Sequence, residues 1–471
     1  MFPPSPSAML SPDRVFGARE SVATAQLIQE RLKRSSLELL AALKVLQNRG
    51  LAQLGEAERL LRCLPNSNFT RVWSSPDAYF WTRLAFGFAK GGLKDGLVSK
   101  FAEWSRLTVD TFEQGLTERV TLIALSGHAI AGNAVRLDVP TSLPRTGTMA
   151  GTSIAWTLTE ELRVFGTVNG RLLVGTSLES ARPLDPTNYG GVLRMPEVRE
   201  GDVYIDVWSE CVRVDCLGLE QNQRVSDLSL LQRQAEIFER ALAIIRAAAA
   251  PFYEEVLLIL RSATPLVADG RSLPSSSNSA ITGVMWYSET EIPELLAEMI
   301  IHEFSHTKVF LLQDVDPLLD RTAHGSGWEI CDLYSPWRDE PRPPNGILHG
   351  FLVFSEAALF WARHLEKNDS INRELARRRF GMLVRQIERA RWVLECHCRF
   401  TPIGRGVMDY FSGRLDKVLL PLTEKWKTDA LPVLHLERHT EFELRAGTTI
   451  TASVAAHQER WESRYGIAVT L

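Results

Sequence analysis

Cysteine is scarce and unpatterned in this sequence. Six residues, Cys63, Cys211, Cys216, Cys331, Cys396 and Cys398, are scattered over 471 positions, without the dense spacing of a disulfide-stapled secreted domain. Reduced thiols and a cytoplasmic setting are expected. Cys396-His397-Cys398 sets ligand types side by side, but residues two apart on a helix point in different directions, and no second pair lies nearby. Long hydrophobic runs are also missing. The longest, residues 241–260, is broken by Arg246, Pro251, Glu254 and Glu255, short of the uninterrupted span that a bilayer needs. There is no excess of positive charge: 53 Lys and Arg stand against 57 Asp and Glu, and no basic run offers a field for nucleic acid. The opening Met1-Phe2-Pro3-Pro4-Ser5-Pro6-Ser7 has neither the basic start nor the apolar core of a secretion signal, and reads as a short disordered tail. Neither nucleic acid nor membrane is expected as a partner.

What is present is ample material for a packed core, 45% of residues being hydrophobic. The reading is α+β: mainly α-helical, with a central antiparallel β region. After a tail over 1–13, a helical region is expected over 14–115, where Ile28, Leu32, Leu39, Leu43 and Leu46 recur at helical steps. An antiparallel β region follows over 116–226. Its expected strands include Val120-Thr121-Leu122-Ile123-Ala124-Leu125, Glu161 to Phe165, Arg171 to Val174 and Asp202 to Val207, with Asn169-Gly170 as a hairpin turn and His128 in a turn at the region's edge. Residues 227–430 return to helix and 431–471 read as a C-terminal αβ extension. Within these, helices are expected over 373–397, 415–427 and 455–465, and a strand-like piece over 441–452.

The chemistry concentrates at Ile301-His302-Glu303-Phe304-Ser305-His306, an H-E-x-x-H sequence on a helix expected to start at Pro293 and end near Gln313. Positions i and i+4 lie one turn apart on one face, so His302 and His306 can converge on one metal ion with Glu303 beside the open position, a zincin-like metal helix. Leu295, Leu296, Met299 and Ile300 are expected to face inward. Upstream, Ser275 to Ala280 reads as a polar loop and Ile281 to Tyr287 as a strand whose edge is compatible with pairing to an extended peptide.

Two histidines hold a metal poorly, so a third ligand is required. The extended H-E-x-x-H-x-x-G-x-x-H form fails, because Val309 and Leu312 stand where it needs Gly and His. A glutamate, Glu356 or Glu329, would complete a zinc site of the peptidase kind, with Glu303 as the base on a zinc-bound water. The other candidate is His349, at the start of the helix beyond the Pro- and Arg-rich stretch from Tyr334 to Gly346.

Taken together, His302 to His306, Ser335-Pro336-Trp337-Arg338, Arg342-Pro343 and Gly346-Ile347-Leu348-His349-Gly350-Phe351 resemble the HExxH-motif peptide-modification proteins of ribosomal peptide natural-product clusters. The resemblance covers about residues 275 to 365. It implies an iron(II)- and 2-oxoglutarate-dependent dioxygenase that β-hydroxylates a residue of a ribosomally synthesised precursor peptide. On that reading His302, His306 and His349 bind iron(II), and Arg338 or Arg342 pairs with the distal carboxylate of 2-oxoglutarate, whose planar group matches a guanidinium fork. Glu303 then orients a histidine or the substrate rather than serving as a base. Two other readings stand beside it: a zinc metallopeptidase, and a peptide-binding scaffold without catalysis.

Overall fold

Proline and capping residues place the helix starts, and the hydrophobic spacing sets what each helix buries. The computed structural model describes residues 20–51, 54–64, 72–105, 108–144, 146–150, 152–198, 203–213, 227–267, 275–279, 281–320, 333–337, 341–367, 372–426 and 428. Two compact units are formed, and each is described by itself. The β unit comprises the described residues of Gln26–Leu242 and Val256–Leu296, and the motif unit those of Met1–Ala25, Ala243–Glu255 and Ala297–Leu471.

The β unit opens with helices α1 (Glu20–Asn48), α2 (Leu54–Arg62), α3 (Pro76–Gly91), α4 (Gly96–Ser105) and α5 (Val109–Ile130). Leu39, Leu43 and Leu46, at four- and three-residue steps, are fully buried in its core with Phe80, Leu84, Phe112 and Leu116, as a one-sided apolar stripe demands. Helix α5 corrects the expected strand at Val120 to Leu125. Val120, Leu122, Ile123, Ala124 and Leu125 are all buried, so the run does not alternate between a core and a solvent face, and a continuously buried run suits helix or strand alike. What decides is the start: Thr108 and Thr111 form a reciprocal capping box, which satisfies two orphan amide donors of the first turn. His128 is likewise not in a turn. It is buried in the last turn of α5, with Nε2 3.0 Å from the carbonyl oxygen of Leu60.

The strands follow as β1 (Val135–Ser142), β2 (Thr146–Thr148), β3 (Ile154–Thr157), β4 (Arg163–Val168), β5 (Arg171–Gly175), β6 (Arg182–Pro183), β7 (Val192–Arg194), β8 (Glu197–Val198) and β9 (Val203–Ile205). Two antiparallel sheets are ordered β1-β4-β5-β6 and β2-β3-β7. Asn169 (φ 49°) and Gly170 (φ 74°) turn β4 into β5, the two positive angles that a tight hairpin requires. The short helix α6 (Glu210–Arg213) comes next, then α7 (Leu228–Ala248) and α8 (Ala250–Ile259).

A third sheet adds β10 (Ser262–Leu266), β11 (Ser275–Asn278) and β12 (Ile281–Ser288) in the order β11-β12-β10-β9-β8. It is mixed, since β10 runs parallel to both β12 and β9, so the β region is antiparallel only in part. Ser275 to Asn278 is a strand rather than a loop, its ladder supplied by β12 in spite of poor intrinsic β propensity. Strand β12 is therefore paired on both sides, and its edge is closed to a peptide.

The motif unit is built on α9 (Pro293–Gln313), α10 (Pro344–Lys367), α11 (Arg373–His397), α12 (Pro402–Arg414) and α13 (Leu420–Trp426), the last two joined by a π-turn over Leu415–Leu419. Helix α12 precedes the expected 415–427 segment and is announced by Thr401, whose hydroxyl accepts from the Gly404 amide, and by Pro402 in the first turn, a common helix-start pair. Strands β13 (Leu333–Tyr334) and β14 (Pro341–Arg342) form a short antiparallel ribbon between α9 and α10. Phe351, Phe360, Trp361, Phe380, Leu383, Ile387 and Leu394 make the α10–α11 core. The readings at 1–13, 441–452 and 455–465, and residues Glu329 and Arg338, lie outside the described residues. Among those described, no helix is long and apolar enough to cross a membrane.

Candidate metal centre

Helix α9 carries His302, Glu303 and His306 because its apolar stripe buries it: Leu296, Ala297, Met299, Ile300, Ile301 and Val309 are all in the core, while Leu295 is half-buried. Buried charge fixes its position. Lys308 Nζ donates to Glu255 Oε2 on α8 at 2.9 Å, in a pair that is 2% and 0% exposed, and the Thr24 hydroxyl also donates to Glu255. On the other side of the motif Glu298 accepts from Trp361 Nε1 of α10 at 2.7 Å and from the Arg379 guanidinium of α11. The two histidines thus sit between anchors to three other helices.

The start of α10 brings His349 to His306. Their Nδ1 atoms are 3.2 Å apart and the rings stack at 24° with centroids 5.4 Å apart. Two nitrogens held about 2.1 Å from one ion at roughly 100° to each other stand about 3.2 Å apart, so this separation suits two ligands of a single metal. The tautomer of His349 is set from behind. Gln313 Nε2 donates to Asn345 Oδ1 at 2.6 Å, which leaves Gln313 Oε1 to accept from His349 Nε2 at 2.9 Å. The lone pair of His349 then lies on Nδ1, toward His306. Burial, and secondarily the neighbouring His306 ring, hold His349 well below the usual histidine range, which keeps it in the neutral form that a metal requires.

His302 is one turn before His306 on the same face, with ring centroids 4.9 Å apart. Its ring packs on Phe354 at 4.6 Å, and its Nε2 is 3.8 Å from the buried Glu303 Oε1. The histidine donors do not converge as three: among the described residues, no group of three His, Cys, Asp or Glu is spaced to hold a metal ion. The His306–His349 pair has a separation suited to two ligands, and His349 turns its lone pair toward His306, whereas His302 lies one turn away against Phe354 and Glu303.

Trp337 closes the same corner. A Cβ on Gly350 would fall 1.8 Å from Trp337 Cζ2, so the indole lies directly on the α10 backbone one residue past His349. It also packs against Phe354 at 5.0 Å, while Gln386 Nε2 donates to the Pro336 carbonyl oxygen at 3.1 Å. Half-buried Arg342 runs beside the first turn of α10, its Cδ 3.5 Å from where a Gly346 Cβ would be. Glu356 is elsewhere: buried two turns past His349, it accepts from Arg414 Nη1 at 2.7 Å. About 10 Å of helix separates it from His349. Nothing local in the sequence marks Gln313 and Asn345, although Gln313 lies seven residues after His306 and Asn345 four before His349, both on the histidine faces.

No protein-family model matches this chain, and no curated protein matches it.

Proposed function

We propose that this protein is an iron(II)- and 2-oxoglutarate-dependent hydroxylase that modifies a side-chain β-carbon in a ribosomally synthesised precursor peptide. The observation that carries the reading is the His306–His349 pair, 3.2 Å apart at Nδ1, with Gln313 and Asn345 orienting the second ring. The resemblance of residues 275 to 365 supplies the reaction class. His306 and His349 would hold the metal, with His302 as the third ligand. Iron(II) bound with 2-oxoglutarate supplies the oxidising chemistry: one dioxygen is consumed, 2-oxoglutarate becomes succinate and carbon dioxide, and the peptide C–H becomes C–OH. The chain's own residues bind and shield. Arg342 would pair with the distal carboxylate of 2-oxoglutarate, Trp337 and Phe354 would wall the histidines with apolar surface, and Glu303 would orient His302.

The test is an anaerobic titration of the metal-free chain with iron(II) and 2-oxoglutarate, watched for the visible charge-transfer band of a chelated 2-oxo acid. The reading expects a band that is lost in Arg342→Ala. The absence of a band, together with one tight zinc per chain and cleavage of an unstructured protein that Glu303→Gln abolishes, would replace it with the metallopeptidase.

A further inference from the structure

A second polar cluster lies in the β unit, and the proposed reaction does not use it. Asp77, in the first turn of α3, has Oδ2 2.6 Å from Thr148 Oγ1 of β2, and Thr148 Oγ1 is 3.0 Å from Ser209 Oγ. Ser209 in turn donates to Oδ2 of Asp206, so two carboxyl groups are joined through two hydroxyls. Three oxygen–oxygen contacts each need one hydrogen. If both acids were ionised, Thr148 would give its hydrogen to Asp77 and Ser209 would give its own to Asp206, leaving the 3.0 Å contact between them with none. A third hydrogen completes the chain, and it must come from an acid.

The surroundings say which acid. Burial pushes the Asp206 carboxyl up as well, but it accepts at Oδ1 from the amides of Trp208 (2.8 Å) and Ser209 (3.0 Å), and at Oδ2 from Ser209 and from Ser262 Oγ (3.4 Å), four donors that oppose the shift and favour its carboxylate over that of Asp77. Asp77 has one hydroxyl contact, at Oδ2, and otherwise only the weak thiol donor of Cys211. Its Oδ1 is hidden from solvent with no hydrogen-bond partner, a small loss for a neutral acid and a large one for an anion. The charged and titratable groups facing Asp77 are Asp206, the Glu210 carboxylate and Cys211 thiol of α6, and Arg119 of α5. Arg119 is itself held by Glu210 (Nη2 to Oε1, 2.7 Å) and Glu118 (3.1 Å), so negative charge exceeds positive there.

We propose that Asp77 is kept as the neutral acid in the folded protein, sharing one proton with Asp206 through Thr148 and Ser209, and that this chain is a proton-operated latch. It ties the start of α3 to β2 and to the turn between β9 and α6. Asp77 also lines a pocket with Trp81, Arg119, Thr148, Trp156 and Glu210, so ionisation opens the latch at that pocket's wall.

Infrared spectroscopy of the full chain labelled with carboxyl-13C aspartate tests this. A protonated aspartate band is expected at pH 6, disappearing with a midpoint near neutral pH and absent in Asp77→Asn. In Asp206→Asn the midpoint should fall by at least one pH unit, because the second charge is gone while the amide oxygen introduced there can still accept from Ser209; burial of Asp77 alone would leave it in place. Wild-type protein with no protonated aspartate above pH 5 would overturn the proposal, as would a band that survives Asp77→Asn. The wild-type spectrum decides even if a variant does not fold.

Discussion

The indole of Trp337 rests on the backbone of Gly350, so close that a Cβ there would fall 1.8 Å from the ring. This contact joins the Pro-Trp and Leu-His-Gly elements, and it sets the start of α10 that carries His349. Gly350→Ala should therefore destabilise the protein by about 1–3 kcal/mol through overpacking, against a gain of about 1 kcal/mol in helix propensity. Adding Trp337→Ala to Gly350→Ala should recover part of the loss in chemical denaturation, since the two residues share one contact.

Gln313 orients His349 by accepting from its Nε2 at 2.9 Å. Its replacement by leucine should weaken metal binding roughly 10- to 100-fold, measured by calorimetric titration of the metal-free chain, while Gln313→Glu, which still accepts from His349 Nε2, should restore most of it. Nitrogen NMR of labelled histidine should show the Nδ1 lone-pair form of His349 in the wild type and lose it in Gln313→Leu.

The Lys308–Glu255 pair is almost wholly enclosed. Removing one partner leaves a buried charge, so Lys308→Ala should cost about 3–5 kcal/mol. The paired change Lys308→Met with Glu255→Leu should lie much nearer the wild type in urea unfolding.

Asp77 gives stability a pH dependence of defined sign. Burial first, and the charge of Asp206 second, push its carboxyl up to about 7, above its unfolded value of about 3.9. Its contribution is therefore complete below about pH 4 and is lost as pH rises through about 7, by up to about 4 kcal/mol. The stability difference between wild type and Asp77→Asn should narrow or reverse between pH 5 and pH 8; parallel profiles would contradict the assignment.

Much of the fold was legible because local chemistry and tertiary partners agreed. Pro293 and the stripe behind it mark α9, Asn169-Gly170 marks its hairpin, and α11 spans Arg373–His397 as its spacing suggests. Where local pattern was silent, the reading failed. Val120 to Leu125 is equally apolar as strand or buried helix, and the Thr108 cap decides it. Ser275 to Asn278 takes strand form from its neighbour β12. At the centre, no local pattern reveals that Arg414, 58 positions away, engages Glu356, or that Gln313 and Asn345 stand behind His349.

His349, rather than Glu356, is proposed to join His306 on the metal. Metal stoichiometry and affinity measured side by side in His349→Ala and Glu356→Gln test it most directly. His349→Ala should abolish tight binding of one ion per chain, while Glu356→Gln, whose partner is Arg414, should retain it. Retained binding in His349→Ala with loss in Glu356→Gln would contradict the account.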